Sequence, residues 1–399
     1  MLSQSGVNGG VTGPVRPVKE RWGAVDKEPM DTTLLGNLHV NKSKMAEDKR
    51  TKKLFGAYKE CVDMYTKRQL RHDGDILDAF AGTLSVLSTA FQSDHWCGLP
   101  ASALDLALLW TPADKTYRRG LEYAPLPNNH LMSTRPPGSI LPTNRGTVQV
   151  VFGPSEVTAL DDKVDRRFPS WSWAGWKGPV GYHPFDDVHP DKPPPGSLVN
   201  KFAINLGGGG LRFTPGRGID ENEPIARVSS SDPVGNEDQQ YLPSPSIPNV
   251  LQFLAPCLPL TTFTISPQVD YIPAHGVPHS PTRQGVRSIL DRHRKRCGVW
   301  WEQAGYVYVG RGLSPEAEAK MVLVGVSCQA DATQLIYEDS IALFDTEAYG
   351  ESGHGDGLVN VMVVDLDMGH EFGERVTVAR IHQRAWQEAG PLMKMVRLA

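Results

Sequence analysis

The stretch Arg166-Arg167-Phe168-Pro169-Ser170-Trp171-Ser172-Trp173-Ala174-Gly175-Trp176 decides how the rest of the chain is read, because it places three of the nine tryptophans within six residues. Read as a strand, it puts Trp171 and Trp173 on one face, since side chains alternate with period two. Gly175 then permits a bulge or tight bend that returns Trp176 to the same layer or turns it to the other side. Two roles fit such a run. It can be an inward-facing strand that anchors a sheet to helices, or an aromatic platform that stacks a sugar, a base or a partner's side chain. Burying one large apolar side chain contributes about 1.5 to 3 kcal/mol, so the core reading needs no further function and is favoured.

Upstream of the run the pattern is helical. Leu54, Tyr58, Cys61, Val62 and Tyr65 recur at the spacing of one helix face. Gly74 separates this helix from a second, capped by Asp75, whose apolar face is Ile76, Leu77, Ala79, Phe80, Thr83, Leu84 and Leu87. A third helix is expected after Pro100, with Leu104, Leu108 and Leu109 apolar and Asp105 in its first half. Residues 51–112 therefore read as a small helical subdomain. Residues 1–50, rich in Gly, Pro, Thr and charge, bury too little apolar surface to offset chain entropy and read as disordered.

Beyond Trp110 helical periodicity disappears and Pro and Gly interrupt every stretch. Strands are expected at 149–152, 170–176, 251–254, 261–265, 299–309, 321–327, 359–366, 375–381 and 395–398, with a short helix at 384–388. The glycines from Gly207 to Gly210 suggest a hairpin tip between 203–206 and 211–213. Polar, proline-punctuated segments near 185–198, 214–248 and 270–288 read as loop insertions in this β-rich region, 113–399. The fold class is α+β: helices first, then a mainly antiparallel β assembly with long irregular loops.

Composition bounds the function. A hydrophobic fraction of 40% and a charged fraction of 22% over 399 residues are those of ordinary globular chains. A net charge of −4 gives no global attraction to a phosphate backbone, so nucleic acid is not an expected partner. No secretory signal and no apolar run of the ~18 residues of a membrane helix occurs, so no membrane association is expected. Five cysteines, odd in number and without a Cys-x-x-Cys pair, argue against disulfides and structural zinc and for the reducing cytoplasm.

The chemical candidates are weak. His183, Asp186, Asp187 and His189 are metal-ligand types, but the surrounding prolines mark an irregular loop without rigid spacing. Arg292, Arg294, Lys295 and Arg296 surround His293 and precede Cys297, so a cationic neighbourhood could activate that thiol. A solvated basic face is the simpler reading. Asp365, Asp367 and Glu371 could act as an acid–base pair but more simply form a polar turn. No phosphate loop, nucleophile elbow or His-Glu-x-x-His motif is present. No catalytic residue, cofactor or metal is assigned, and the chain is read as a non-enzyme.

Taken together, several segments resemble the region that follows the effector domain in fungal heterokaryon incompatibility (HET-domain) proteins. The segment from Tyr58 through Tyr65 to Leu70 is followed by Asp75, Ala79, Phe80 and Gly82. Then come Gly98-Leu99-Pro100, the run Asp105 to Trp110, and Pro169-Ser170-Trp171-Ser172-Trp173-Ala174-Gly175-Trp176, all in the family's order. The likeness covers roughly 55–182 well and the stretches 359–364 and 374–382 loosely. The effector-domain motifs that begin such proteins do not occur here. The resemblance implies a non-enzymatic, partner-binding or regulatory region in non-self recognition or regulated cell death, either effector-less or part of a truncated gene model. It implies a protein partner of unspecified identity. The rival expectation is a carbohydrate-binding or carbohydrate-active protein whose platform is Trp171, Trp173 and Trp176, which requires at least two of these indoles to be exposed.

Overall fold

The structure is a computed structural model describing residues 47–112, 116–119, 168–182, 196–205, 210–217, 249–273, 283–301, 319–329, 343–350, 357–366 and 372–399. It is an α+β fold whose sheet is mostly antiparallel. Helix α1 spans Glu47–Thr66 and buries Leu54, Phe55, Tyr58, Cys61, Val62 and Tyr65, the face predicted from spacing. It starts earlier than predicted, so 47–50 belong to the helix and not to a disordered tail. The rest of 1–50 lies outside the described residues.

Asp75 does not cap a helix. It ends a 3-10 turn, Asp73–Asp75, and its carbonyl accepts from the Ala79 amide at 2.8 Å. Helix α2, Ala81–Phe91, begins only after Phe80 and buries Leu87 and Phe91. The hairpin of β1 (His95–Trp96) and β2 (Leu99–Pro100) turns through Cys97 and Gly98, both with positive φ, as the right-handed strand twist favours. The predicted third helix shrinks to α3, Leu104–Ala107, and Trp110 opens β3, Trp110–Pro112. Strand β3 pairs with β6, Val180–Tyr182, while β4 (Tyr117–Arg118) pairs with β5 (Trp176–Lys177). Strand β3 thus ties the end of the 51–112 segment to residues 180–182.

Among the described residues the principal sheet has 11 strands. They are β7 (Gly196–Ser197), β8 (Lys201–Asn205), β9 (Leu211–Pro215), β10 (Val250–Pro259), β11 (Thr264–Pro273), β12 (Arg283–Leu290), β13 (Arg296–Trp301), β14 (Met321–Gln329), β15 (Leu358–Asp365), β16 (Glu374–His382) and β17 (Leu392–Leu398). Their order is β11-β12-β13-β16-β15-β14-β10-β8-β9, with β17 beside β10 and β7 beside β14. Short helices α4 (Thr346–Tyr349) and α5 (Gln383–Glu388) flank it. At the far side of β17, a parallel bridge joins Leu398 to Gly373 just before β16. The path β16-β15-β14-β10-β17 thereby returns on itself.

Strands β14 and β15 are buried on both faces, which is why they read as nearly continuous apolar runs. Val324, Val326, Met362 and Val364 join the helices and the tryptophan run in one core. Leu323, Val361 and Val363 join Trp300, Trp301 and Trp386 in a second. The predicted hairpin around Gly210 forms, with Asn205 opposite Leu211.

Three expected loops are corrected. Most described residues of 270–288 are strand, Val269 pairing with Arg287 and Pro273 with Arg283. Proline and charge are tolerated there because β11 is an edge strand among the described residues. Of 185–198, Gly196 and Ser197 pair with Cys328 and Ser327. Of 214–248, Thr214 and Pro215 end β9. The remainder of these segments, and the strand expected at 149–152, lie outside the described residues.

Candidate functional site

The tryptophan run is not the strand its alternation suggests. Residues 168–172 form turns, Trp173–Gly175 is a single 3-10 turn, and only Trp176 enters a strand. Local chemistry explains the curl. The Ser172 hydroxyl accepts from the Ala174 amide at 3.0 Å, a capping bond that holds the backbone in the turn. Gly175 is required because a Cβ there would collide with the Arg118 guanidinium and the Pro169 carbonyl.

Curling gives each of the three indoles its own acceptor, two of them on other parts of the fold and one within the run. Trp173 Nε1 donates to the Tyr58 hydroxyl on α1 at 2.9 Å. Trp171 Nε1 donates to the Asn249 carbonyl before β10 at 3.1 Å. Trp176 Nε1 donates back to the Ser170 carbonyl at 3.0 Å, and its ring meets that of Trp110 edge-on at 5.8 Å. Trp110 Nε1 in turn donates to the Trp171 carbonyl at 2.9 Å. Relative exposures of 0%, 0% and 2% for Trp171, Trp173 and Trp176 place all three in the core. The exposed indoles that an aromatic platform requires are therefore not found, because the same indoles are used up in tying segments together.

The serines between them work alike. Ser170 donates from its amide (2.9 Å) and its hydroxyl (2.6 Å) to the Ala399 carbonyl, and its hydroxyl accepts from the Arg375 amide at 3.0 Å. Ser172 Oγ donates to the Cys97 carbonyl at 2.6 Å. Gly98 beside it has φ +89, and a Cβ there would lie 2.8 Å from the Trp173 ring. Tyr65 stacks on Phe80 with centroids 4.5 Å apart and donates to the Ile76 carbonyl at 2.6 Å. Trp173 meets both rings edge-on. Leu99, Pro100, Trp110, Pro169 and Ala174 are buried in the same core, whereas Asp75 and Ala79 are exposed and stand apart from it.

Sequence reading missed the cations that seal this junction. Arg118 donates to the Phe168 and Gly175 carbonyls at 2.7 and 2.8 Å, and Arg119 Nε to the Ala174 carbonyl at 2.8 Å. Asp73 pairs with Arg119 and Lys177 at 3.2 and 3.0 Å. Arg375 is fully buried over the Trp110 ring, 3.8 Å from its centroid, and donates to the Trp110 carbonyl. Burial pulls its guanidinium down to about 9. Arg118 and Arg119 lie in a short stretch without period and Arg375 near the start of β16, so no period or motif in the sequence marks their role.

Two further polar pairs border the core. Asp105 is gripped by Arg217 through two bonds of 2.9 Å; burial pushes its carboxyl up and the guanidinium opposes this without cancelling it. Ser88 Oγ lies 2.7 Å from His95 Nδ1, and burial lowers the imidazole to about 4, so it is neutral near pH 7. His95 Nε2 has no hydrogen-bond partner among the described residues, so the Ser88–His95 pair lacks a third group to complete a nucleophile–base–acid arrangement.

Cys297 is fully buried and pushed up to about 12 by burial, which removes the activated thiol considered from sequence. His183, Asp186, Asp187, His189, Asp367 and Glu371 lie outside the described residues. Among the described residues no group of three or more His, Cys, Asp or Glu is placed to hold a metal, and no helix is long and apolar enough to cross a membrane. The fold and junction define an α+β protein whose most distinctive residues are internal fasteners. Comparison with protein-family models, curated proteins and solved structures found no match.

Proposed function

We propose that this chain is a non-catalytic, partner-binding or regulatory region of the kind the resemblance to heterokaryon incompatibility proteins implies, working in the cytoplasm in non-self recognition or regulated cell death. The observation that carries this reading is the convergence of the motif segments. Trp173 binds Tyr58, Ser172 binds Cys97, and Trp110 binds Trp171, so stretches far apart in sequence meet in one buried junction. Motif residues spent on one another supply a rigid scaffold, and a scaffold acts through its surface. A non-catalytic reading also agrees with the thiols: burial raises Cys61 and Cys328 to about 11 and Cys97, Cys257 and Cys297 to about 12.

The test is genetic. The chain is expressed, or its gene removed, in a filamentous fungus, and cell death after hyphal fusion is scored by vital-dye uptake across a panel of strain pairings. A changed outcome in at least one pairing is expected. Unchanged death in every pairing would remove the reading.

A further inference from the structure

The basic run Arg292 to Arg296 forms the turn between β12 and β13, and it is built as a rigid presenting tip. Asp291 Oδ1 accepts from the amides of His293 and Lys295, both at 2.8 Å, and its Oδ2 accepts from the Tyr349 hydroxyl at 2.6 Å. Burial alone would push this carboxyl up, yet the donors from Tyr349, Lys295 and His293 together hold it below its usual value. The backbone closes with Asp291 N to Lys295 O at 2.9 Å and Arg294 N to Asp291 O at 3.0 Å. Arg294 sits at φ +60, a left-handed conformation that a non-glycine residue holds only when its surroundings enforce it.

Three nearby acids are already committed. Asp291 is spent on the turn, Asp345 caps α4 and pairs with Lys295 at 3.2 Å, and Asp270 pairs with Arg296 at 3.3 Å. Residues 292 to 295 are exposed. Arg292 donates to His293 Nε2 at 3.1 Å, and neither it nor Arg294 has a carboxylate partner among the described residues. Two exposed arginines are thus carried on a turn whose backbone is fixed by Asp291.

We infer that this tip is a docking point for an acidic protein segment, with Arg292 and Arg294 each receiving one planar oxyanion. Arginine forks match carboxylate and phosphate geometry through paired bonds. Two arginines without carboxylate partners suit a short peptide better than the roughly 6 to 10 phosphates of a typical duplex interface. They also fall short of the roughly 4 to 8 basic residues that hold a segment to an anionic membrane. The net charge of −4 further opposes an extended polyanion. The inference gives the partner-binding reading a surface and rests on it.

The test uses the full chain and fluorescence anisotropy with labelled octaglutamate, a phosphoserine-containing peptide of equal length, duplex DNA and phosphatidylserine vesicles. Arg292→Gln/Arg294→Gln is compared with Lys67→Gln/Arg212→Gln, which removes the same charge from another surface. Salt-sensitive binding of either peptide is expected, weakened about tenfold or more by the tip variant and by less than about twofold in the control, with the melting temperature unchanged. Tighter binding of the phosphopeptide would assign phosphate, and equal binding carboxylate. No peptide binding, equal weakening by both variants, or tighter binding of DNA or vesicles would overturn the tip as an acidic-peptide site. None of these results would alter the fungal pairing outcome, so the two readings fail separately.

Discussion

Tyr58→Phe is the smallest change that interrogates the junction. The hydroxyl accepts from Trp173 Nε1 at 2.9 Å and donates to the Gly98 carbonyl at 3.0 Å, with the Tyr182 hydroxyl 3.3 Å away. Burial raises its ionisation far out of the working range, so it acts only as a neutral donor and acceptor. Removing it leaves the ring in place and orphans two buried groups, the Trp173 N–H and the Gly98 carbonyl; Tyr182 keeps its 3.0 Å bond to the Ala107 carbonyl. Each orphaned group costs about 1 to 3 kcal/mol, and partial relaxation brings the total to about 2 to 4 kcal/mol. That corresponds to a fall of roughly 5 to 10 °C in melting temperature for a cooperative unit of this size. The assay is urea unfolding followed by fluorescence, repeated for Trp173→Phe and the double variant. The cycle should show coupling of about 1 to 2 kcal/mol, because the second substitution removes the donor the first one orphaned. A loss below about 0.5 kcal/mol, or strictly additive substitutions, would refute the bond.

Gly98→Ala should cost about 2 to 4 kcal/mol, since it adds positive-φ strain to a 2.8 Å contact with Trp173; a melting temperature within a degree of wild type would contradict this. Breaking the Asp105 pair with Arg217→Met should cost about 3 kcal/mol, and Asp105→Leu/Arg217→Met should recover most of it, checked by the same urea curves. His95 is lowered to about 4 by burial, so the folded state resists its protonation. The stability this confers is complete above the unfolded value of about 6.5 and is lost as pH falls toward 4, by no more than about 3 kcal/mol. Unfolding of His95→Gln should therefore depend less steeply on pH across that window than wild type, and parallel profiles would count against it. Iodoacetamide at pH 7.5 should label all five cysteines slowly in the native state, and rapid selective labelling of Cys297 would revive a cysteine-dependent chemistry.

Much of the framework was legible because burial imposes a period. The α1 face from Leu54 to Tyr65 and the runs that became β14 to β16 follow directly from helical spacing or continuous apolarity. Misreadings arose where hydrogen bonding overrode period. Trp171 and Trp173 alternate like a strand, but the Ser172 cap and the close packing at Gly175 curl them into a turn. Strands β11 and β12 were hidden by Asp270, Pro273 and Arg283, residues a central strand would exclude and an edge hairpin accepts. The cations escaped for a related reason: Arg118, Arg119 and Arg375 serve backbone carbonyls, and carbonyls leave no trace in a sequence. The basic run before Cys297 was visible from the start, but only the fold shows that Asp291 and Tyr349 fix its shape.

The central claim, that the tryptophan run is an internal fastener, is tested most directly by hydrogen exchange of the indole N–H groups in the full chain labelled with 15N-tryptophan. The account predicts that Trp171, Trp173 and Trp176 exchange only on global unfolding, because each N–H is bonded inside the core. Exchange of two or more at the rate of free indole would contradict it and return the run to the surface.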